Sequence, residues 1–488
     1  MFCVGRTGIR PLPLSLTLLA SALAVRILLA VLYPGGARAD EIFQYLEPAL
    51  RRAGHHAVTT WDWREGIRSW LVPGAISKII EAEDAFGFAQ SPLIVRILFS
   101  IASLMVVAVF LLHGWLQDQK RGLWLCGVAA ALWPDIACAG FRTLGETLGG
   151  NFLATGVILA NITAVFYKDA SARRVFILLA SSSMLLGAAT AVRFQFGPAA
   201  LFAIGLTTWQ LGLRRSFLPL VVGFLPPIAL LGLVDGLTLS YPFQSIFHNY
   251  YVNSVMGVAD TFGCRSPFFY LYKITTYWGA ATVPVFFLAS RTPAEARSPL
   301  LSAIFLILYH SAIPHKEASF IYPATPLLIL CAAASLTRML RVEGRIVLRR
   351  AIAAEIFTCV SVFISTFAPH MKEKSDPIKL QMLANKKKDM CGLAIFNTDK
   401  TWGTFGGYSY MRSGKALYLF TTPAEVSLNA GRYDYLLGKK TVSIFENGFK
   451  IVSCHDQFCL YRTGASCDDT PDYDQFSKKL RSLESPHI

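Results

Sequence analysis

The chain has 488 residues and a formal net charge of +15; 53% of its residues are hydrophobic and only 16% are charged. Its mean hydropathy of +0.45 exceeds what the cores of soluble domains require, which excludes an ordinary soluble multidomain protein. The basic residues stand in short clusters between apolar runs and not among exposed aromatic residues, so the positive charge indicates membrane topology and excludes nucleic-acid binding.

Apolar segments recur along the first three quarters of the chain, and each approaches the roughly 20 residues that cross a hydrocarbon layer as a helix. They predict an all-α membrane protein with eleven spans, at 11–33, 93–116, 122–139, 147–167, 175–192, 197–213, 217–237, 276–290, 298–312, 319–337 and 351–368. The first span follows Arg6 and Arg10. Because no small-residue cleavage site comes after it, we expect it to be retained.

The loops between the spans fall into two chemically different sets. Lys and Arg cluster in one set, which the positive-inside rule assigns to the cytoplasm together with the N-terminus: 120–121, 168–174, 214–215, 291–297 and 338–350. The other loops then face the endoplasmic reticulum lumen or a periplasm: 34–92, 140–146, 193–196, 238–275 and 313–318. An odd number of spans places the C-terminal part on this second side as well.

The first loop on that side, 34–92, is too long for a simple connection. Residues 40–52 and 67–83 each place apolar side chains on one helical face, which predicts two amphipathic helices along the membrane surface. The predicted transmembrane domain therefore covers residues 1–368 and includes this loop.

Beyond residue 368 the composition becomes that of a soluble domain. Short apolar runs at 391–396, 416–420, 433–437 and 458–461 predict strands of a small α/β domain over 369–488. The cysteines of this part predict one or two disulfides on the non-cytoplasmic side, and their pairing stays open: Cys391, Cys454, Cys459 and Cys467.

Asp40 and Glu41 follow the first span directly. A carboxylate that is partly desolvated at the membrane boundary has a raised pKa and can take a proton from an attacking hydroxyl, so the pair is a candidate general base. The alternative is an ordinary helix N-terminus, where acidic side chains complement the helix dipole.

Cations stand in two unusual places on the same side. Arg193 lies in an apolar stretch near the end of the fifth span and needs an anionic partner, such as a phosphate. In a tight turn, Lys316 could hold a phosphate as a point charge while His315 donates a hydrogen bond to it. The alternative is an interfacial cluster whose charged ends reach water. No second His or Cys stands at a ligand spacing, so no metal site is expected.

Two further pairs have both a functional and a structural interpretation. Arg142 and Glu146 are spaced i, i+4 at the start of the fourth span, which predicts a shared helical face and either ligand contacts or an ion pair. Trp61 and Trp63 suit an interfacial aromatic belt or stacking on a sugar ring.

Read in order, four motifs resemble the glycosyltransferase 22 family of the GT-C superfamily: DEIFQYLE from Asp40, TWDWREGIRSW from Thr60, RTLGETL from Arg142 and HKEASFIYP from His315. These enzymes are lipid-phosphomannose-dependent mannosyltransferases, and the chain most resembles the GPI mannosyltransferase III branch. The similarity covers about residues 15–335. One departure is Ala39, because family members often have Pro immediately before the Asp-Glu pair.

This resemblance implies an inverting transfer of mannose from a polyprenyl phosphate mannose to a hydroxyl of a lipid-linked glycan. Asp40 would be the general base, with Glu41 orienting the acceptor or serving as the alternative base. The departing phosphate would be stabilised by Arg193, His315 and Lys316. Acceptor contacts would come from Trp61, Trp63, Arg68, Arg142, Glu146 and Glu317.

The scheme requires no nucleotide, cofactor or metal, and the sequence contains no Gly-rich phosphate loop. Two alternatives remain. A multi-span lipid or sugar transporter or flippase would place its polar groups nearer the midplane and often shows repeated halves. Another GT-C transferase would use a different lipid-linked sugar.

Overall fold

The computed structural model describes residues 12–36, 38–87, 92–398, 402–411, 414–440, 449–464, 467 and 469–483. The predictions that rest on Arg6 and Arg10 lie outside the described residues. Helices dominate the described part up to residue 385.

The helices of the first half, with a π-helix at Glu41–Leu46, are α1 (Leu12–Leu32), α2 (Glu47–Arg52), α3 (Trp61–Arg64), α4 (Leu71–Ala85), α5 (Pro92–Leu132), α6 (Pro134–Ala139), α7 (Gly145–Phe166), α8 (Ala172–Val192), α9 (Gly197–Leu211) and α10 (Leu213–Thr238). Those that follow, up to the first strand, are α11 (Gln244–Tyr250), α12 (Val258–Thr261), α13 (Phe269–Trp278), α14 (Thr282–Ser290), α15 (Arg297–Ser311), α16 (Ala324–Met339), α17 (Arg345–Val362) and α18 (Ala368–Asn385).

Six of the described helical segments are long and apolar enough to cross a membrane: α1, α5, α7, α8, α10 and the continuous stretch Arg345–Asn385. Each predicted span coincides with one or two of the observed helices. Because several of these helices are shorter than a full crossing, length and composition support a multi-pass membrane protein without fixing the number of spans at eleven.

The longest helix, α5, is two antiparallel helices joined at a sharp turn. Asp118 and Gln119 have non-helical dihedrals, with φ of −156° and +38°. Gly114 and Gly122 would be about 12 Å apart in a straight helix, yet a β-carbon on either glycine would overlap the backbone of the other. The chain therefore turns back at Asp118–Gln119, as the separate predicted spans at 93–116 and 122–139 require.

The helices of the first loop form where the sequence predicts them, but they are covered by protein. The apolar side chains of the π-helix, α2 and α4 share one buried core with the C-terminal sheet, through residues such as Phe43, Leu46, Ile76, Leu393 and Leu419. The expectation that these faces lie on the membrane surface is therefore wrong for most of their area. Sequence periodicity reveals an apolar face but not what covers it.

The C-terminal sheet has five strands in the order β2-β1-β3-β5-β4. They are β1 (Gly392–Phe396), β2 (Ala416–Phe420), β3 (Tyr435–Lys439), β4 (Lys450–His455) and β5 (Phe458–Arg462), with α19 (Pro423–Leu428) and α20 (Gln475–Leu483) beside them. β2, β1 and β3 are parallel, whereas β5 is antiparallel to both β3 and β4. Four of the strands match predicted ones, and β4 was not predicted. Two disulfides, Cys391–Cys467 and Cys454–Cys459, join cysteines of this part.

Candidate active site

Asp40 lies immediately before the π-helix, where the chain leaves α1 and reaches the first loop. Its side chain is half-buried and forms part of the wall of a cavity of about 550 Å³. Among the described residues none donates a hydrogen bond to its carboxylate. The carboxylate is therefore available to a ligand in the cavity.

Two further acids converge on Asp40 from distant parts of the chain. Glu146 lies in the first turn of α7, and Glu317 lies in the turn between α15 and α16. One carboxylate oxygen from each of the three residues lies within 4.8 Å of the other two. Arg193 pairs with Glu146, and Arg38 pairs with Glu317 at 2.5 Å. The charges of these two acids are thus balanced by protein side chains, and the cluster does not need a metal ion to explain it.

The surroundings of Asp40 and Glu317 move the pKa values of these two carboxyl groups in opposite directions. Burial, followed by repulsion from Glu317 and Glu146, raises the pKa of Asp40 to about 7, against the opposing attraction of Arg68. Burial alone would also raise the pKa of Glu317, but the nearby His315 and the charge of Arg38 lower it to about 2. Of Asp40 and Glu317, Asp40 is the carboxylate whose pKa is suited to a general base near neutral pH.

Glu41 does not share this environment. It is fully buried and pairs with two arginines, with Oε1 3.1 Å from Arg96 and Oε2 3.4 Å from Arg142. Consecutive residues on a helix point in directions about 100° apart, so only one of the two acids can face the cavity. The structure thus separates the adjacent carboxylates: Asp40 faces the cavity, and Glu41 lies in a buried ion pair.

Arg142 and Glu146 do not share a helical face or form the ion pair that was one of the two interpretations of their spacing. Helix α7 begins at Gly145 after an extended Leu144, so Arg142 lies outside the helix and the i, i+4 relation does not apply. Arg142 pairs with Glu41 instead, and Glu146 pairs with Arg193. A spacing rule for a regular helix cannot identify partners across a helix start.

His315 and Lys316 lie close to the acidic cluster but are engaged by protein groups. The Nε2 atom of His315 is 3.8 Å from Glu317, and that contact raises the pKa of His315 above its ordinary value. Lys316 is buried and donates hydrogen bonds to the carbonyl oxygens of Arg265, at 3.0 Å, and Ile313. Lys316 therefore fastens the long loop after α12 to the turn that carries Glu317.

The candidate acceptor-binding residues of the first loop, Trp61, Trp63 and Arg68, also contact other protein side chains. The buried carboxylate of Asp62 accepts a hydrogen bond from Arg68 at 2.8 Å, which holds the guanidinium near Asp40. Trp61 stacks on Phe262 with ring centroids 6.1 Å apart, and Trp63 packs against Trp70 at 4.6 Å. Both tryptophans are thus held by other aromatic rings.

Sequence reasoning missed three cations that line the 550 Å³ cavity: Arg38, Lys273 and Lys374. Lys273 lies over the rings of Phe269, Tyr272 and Tyr277 at 5.7–5.9 Å. Among the described residues neither lysine has a carboxylate partner. The signal that could have revealed Lys273 is the same one that drew attention to Arg193, a single cation within an aromatic and apolar stretch.

The rest of the cavity wall is largely apolar. α13 contributes Ile274, Tyr277 and Trp278, and Phe367 precedes α18 on another part of the wall. The cavity thus combines an apolar wall formed by membrane helices with the basic side chains of Arg38, Lys273 and Lys374. That combination suits a ligand with a lipid tail and an anionic head.

Comparison with known proteins shows the family of the chain. Residues 17–412 match the Alg9-like mannosyltransferase family. The chain is similar to GPI mannosyltransferase 3 of Yarrowia lipolytica, with 27% identity over 61% of this chain and 58% of that protein. It is also similar to human GPI alpha-1,2-mannosyltransferase 3, with 23% identity over 66% of this chain and 58% of that protein. The chain thus spans under two thirds of the length of these curated relatives.

Solved structures show a similar fold at low sequence identity. ArnT from Cupriavidus metallidurans bound to undecaprenyl phosphate has a TM-score of 0.55 and 11% identity, covering 93% of this chain and 99% of that one. The apo form has a TM-score of 0.56 and 13% identity, covering 93% and 98%. The likeness extends over almost the whole chain and supports a GT-C-type membrane architecture.

Proposed function

Since this chain belongs to the Alg9-like mannosyltransferase family, we propose that it is a membrane mannosyltransferase that uses polyprenyl phosphate mannose as donor and a lipid-linked glycan as acceptor. The observation that carries the proposal is the position of Asp40. Its carboxylate accepts no hydrogen bond from the described protein and faces a cavity with two lysines that lack carboxylate partners.

The donor occupies this cavity with its isoprenoid tail along the apolar helices. Lys273, Lys374 and Arg38 bind the phosphate, because all three line the cavity and the two lysines have no described carboxylate to neutralise them. Positive charge aimed at the phosphate stabilises the negative charge that grows on it as the glycosidic bond breaks.

Asp40 acts as the general base. It removes the proton from the attacking acceptor hydroxyl, the new glycosidic bond forms at the anomeric carbon, and the lipid phosphate leaves from the opposite face with inversion. A carboxylate with a pKa of about 7 is a stronger base than an ordinary aspartate and is still largely ionised at slightly alkaline pH.

Arg193, His315 and Lys316, which the sequence suggested as phosphate ligands, contact protein groups and hold them in place. Arg193 holds Glu146 and His315 holds Glu317, so both carboxylates keep fixed positions beside Asp40 and can accept hydrogen bonds from acceptor hydroxyls. Lys316 fixes the loop around them. Arg68 also faces Asp40, and together these groups orient the acceptor beside Asp40.

The test is a transfer assay with purified protein, labelled polyprenyl phosphate mannose, the corresponding glucose and pentose lipids, and lipid-linked glycan acceptors. We expect a mannosylated product from the mannose donor alone. Transfer of another sugar would identify a different GT-C transferase, and movement of donor across vesicles without any product would identify a flippase.

The same assay tests Asp40 directly. Asp40→Asn should lower turnover by about 10²–10⁴-fold, the usual contribution of a positioned base, while the variant still binds donor lipid. Asp84→Asn is a matched control, because Asp84 is an aspartate of the same loop whose partner is His55 at the surface. Near-normal turnover of Asp40→Asn would remove Asp40 from this role.

A further inference from the structure

Residues 402–411 pass directly over the backbone that carries Asp40. Gly403 lies against Ala39, so closely that a β-carbon on Gly403 would be 2.5 Å from the Cβ of Ala39. The ring of Trp402 meets that of Phe43 edge to face, with centroids 4.8 Å apart. This segment, here called the clamp segment, thus contacts the residue before Asp40 and the residue three positions after it.

Glu47 fastens the other end of the π-helix to the clamp segment. Its carboxylate is fully buried and accepts hydrogen bonds from the backbone N–H groups of Ser409 and Val58, both at 2.7 Å. Gly407 lies so close that a β-carbon there would overlap this carboxylate. Gln381 in turn donates a hydrogen bond to the carbonyl oxygen of Gly407 at 2.9 Å. The close contact between residue 407 and the Glu47 carboxylate therefore favours glycine. Residue 407 lies between Glu47 and Gln381.

Tyr410 ties the clamp segment to the ion pair of Glu41. Its hydroxyl donates a hydrogen bond to the carbonyl oxygen of Pro34 at 2.7 Å and accepts one from Arg96 at 2.9 Å. Arg96 also donates to Pro34, at 2.6 Å, and to Glu41, at 3.1 Å. Residues on both sides of Asp40 are thus fixed to one tyrosine of the C-terminal part.

We infer that residues 402–411 are a positioning element that holds Asp40 at the cavity wall, and that Tyr410 and Gly407 are its principal residues. The inference rests on the proposed role of Asp40 as base. The family match ends at residue 412, so it includes the clamp segment but not the strands β2 to β5. The clamp segment therefore belongs with the catalytic part of the chain, although the sequence places it within the C-terminal domain.

Loosening the clamp segment has a consequence for the protonation of Asp40. Its carboxylate faces Glu317, Glu146, Asp62, Arg68 and Arg193, and burial is the largest cause of its raised pKa. A less firmly held Asp40 would gain contact with water, which lowers the pKa of a buried carboxyl. Turnover would fall, and the acid limb of the pH profile of kcat would move to lower pH.

The experiment compares Tyr410→Phe with Tyr433→Phe in the transfer assay. Both remove a buried hydroxyl from the C-terminal part, but the hydroxyl of Tyr433 donates to the carbonyl oxygen of Val426, which lies within that same part. We expect kcat of Tyr410→Phe to fall about 10- to 100-fold, as misplaced reacting groups do. Its acid limb should shift to lower pH and its KM for the donor should change less than about twofold. Tyr433→Phe should match the wild type.

A second comparison separates positioning from loss of folded protein. Gly407→Ala forces a β-carbon onto Glu47, whereas Gly464→Ala places one in open space in the same part of the chain. With turnover normalised to monodisperse folded protein, Gly407→Ala should reproduce the lower kcat and shifted limb. A lower kcat with a wild-type pH profile in both clamp variants would overturn the inference. Full turnover of Asp40→Asn would instead overturn the proposed function.

Discussion

At the scale of single residues, Asp40 and Glu41 show how two adjacent carboxylates acquire opposite roles. Asp40 faces an open cavity without a hydrogen-bond donor among the described residues, whereas Glu41 is buried between Arg96 and Arg142. An unpaired, partly desolvated carboxylate attracts a proton, and a carboxylate in an ion pair does not. The difference predicts separable effects on activity and stability.

Substitution of Glu41 should affect stability more than substitution of Asp40. Removing one partner of a buried ion pair leaves an uncompensated charge and costs about 3–5 kcal/mol, so Glu41→Gln should unfold at a markedly lower temperature in detergent. The folded pKa of Asp40 is raised to about 7, so its ionised form costs stability above that pH. Asp40→Asn should therefore be at least as stable as the wild type at pH 8. Equal melting temperatures for Glu41→Gln and the wild type would contradict the buried pair.

Activity should be lost as the pH falls through about 7, because the base must be ionised and its pKa is about 7. Neighbouring charges should move this acid limb in opposite directions. Glu317→Gln removes a negative charge that raises the pKa, so the limb should shift to lower pH; Arg68→Gln removes a positive charge that lowers it, so the limb should shift to higher pH. If the acid limb moved in the same direction in both variants, a group other than Asp40 would be the one that titrates.

The sequence identified Asp40 through its position after the first span, and the four motifs identified most of the residues around it. The sequence could not show which of Asp40 and Glu41 faces the cavity. The answer depends on the ion pairs of Glu41 with Arg96 and Arg142, which lie more than 50 residues away. Lys374 was missed for a different reason: it follows the last predicted span and carries no local pattern. Partners brought together by helix packing leave no mark in local sequence.

At the scale of elements, close helix packing at glycines shapes the membrane part. Gly114 and Gly122 let the two halves of α5 approach until their backbones touch, and small residues permit such contacts in membrane helices. The hairpin returns the chain to the side of Asp40, where Asp135 of α6, Arg142 between α6 and α7, and Glu146 of α7 lie.

A bulky residue in this hairpin should destabilise the fold. Gly122→Leu must separate the two halves of α5, at a cost of about 1–3 kcal/mol or more for overpacking. Gly205→Leu is the matched control, because a β-carbon on this glycine of α9 meets no atom within 4 Å. Thermal unfolding in the same detergent should show a lower midpoint for Gly122→Leu alone. Equal midpoints would indicate that α5 does not fold back on itself.

Helices and strands could be predicted from the sequence where the composition of the segment is enough to indicate them. The apolar spans coincide with helices, and runs rich in Leu, Phe and Tyr predicted β1, β2, β3 and β5. β4 (Lys450–His455) was missed because its exposed, mixed composition lacks a clear alternation of burial. The faces of the π-helix, α2 and α4 were recognised as apolar, but their cover by the C-terminal sheet depends on contacts over more than 300 residues.

At the scale of the whole molecule, the proposed reaction requires the cavity, the first loop and the disulfide-bonded part to lie on one side of the membrane. The disulfides Cys391–Cys467 and Cys454–Cys459 favour an oxidising compartment for this side. Clusters such as Lys120 and Arg121, at the turn of α5, favour the cytoplasm for the other side.

Thiol labelling tests this topology. Cys264 is the exposed free cysteine of the described residues, and it lies in the loop that Lys316 fastens to the site. In sealed vesicles with the cytoplasmic face outward, an impermeant maleimide should modify Cys264 only after permeabilisation. A cysteine introduced as Lys120→Cys should react without permeabilisation. Peptide mapping identifies the modified residue, and labelling of Cys264 in intact vesicles would reverse the orientation.

The role of Asp40 is tested by a structure of Asp40→Asn with polyprenyl phosphate mannose bound. We expect the phosphate between Lys273, Lys374 and Arg38, the isoprenoid tail along α13, and the anomeric carbon facing residue 40. A phosphate bound elsewhere, or a sugar that faces away from residue 40, would contradict it.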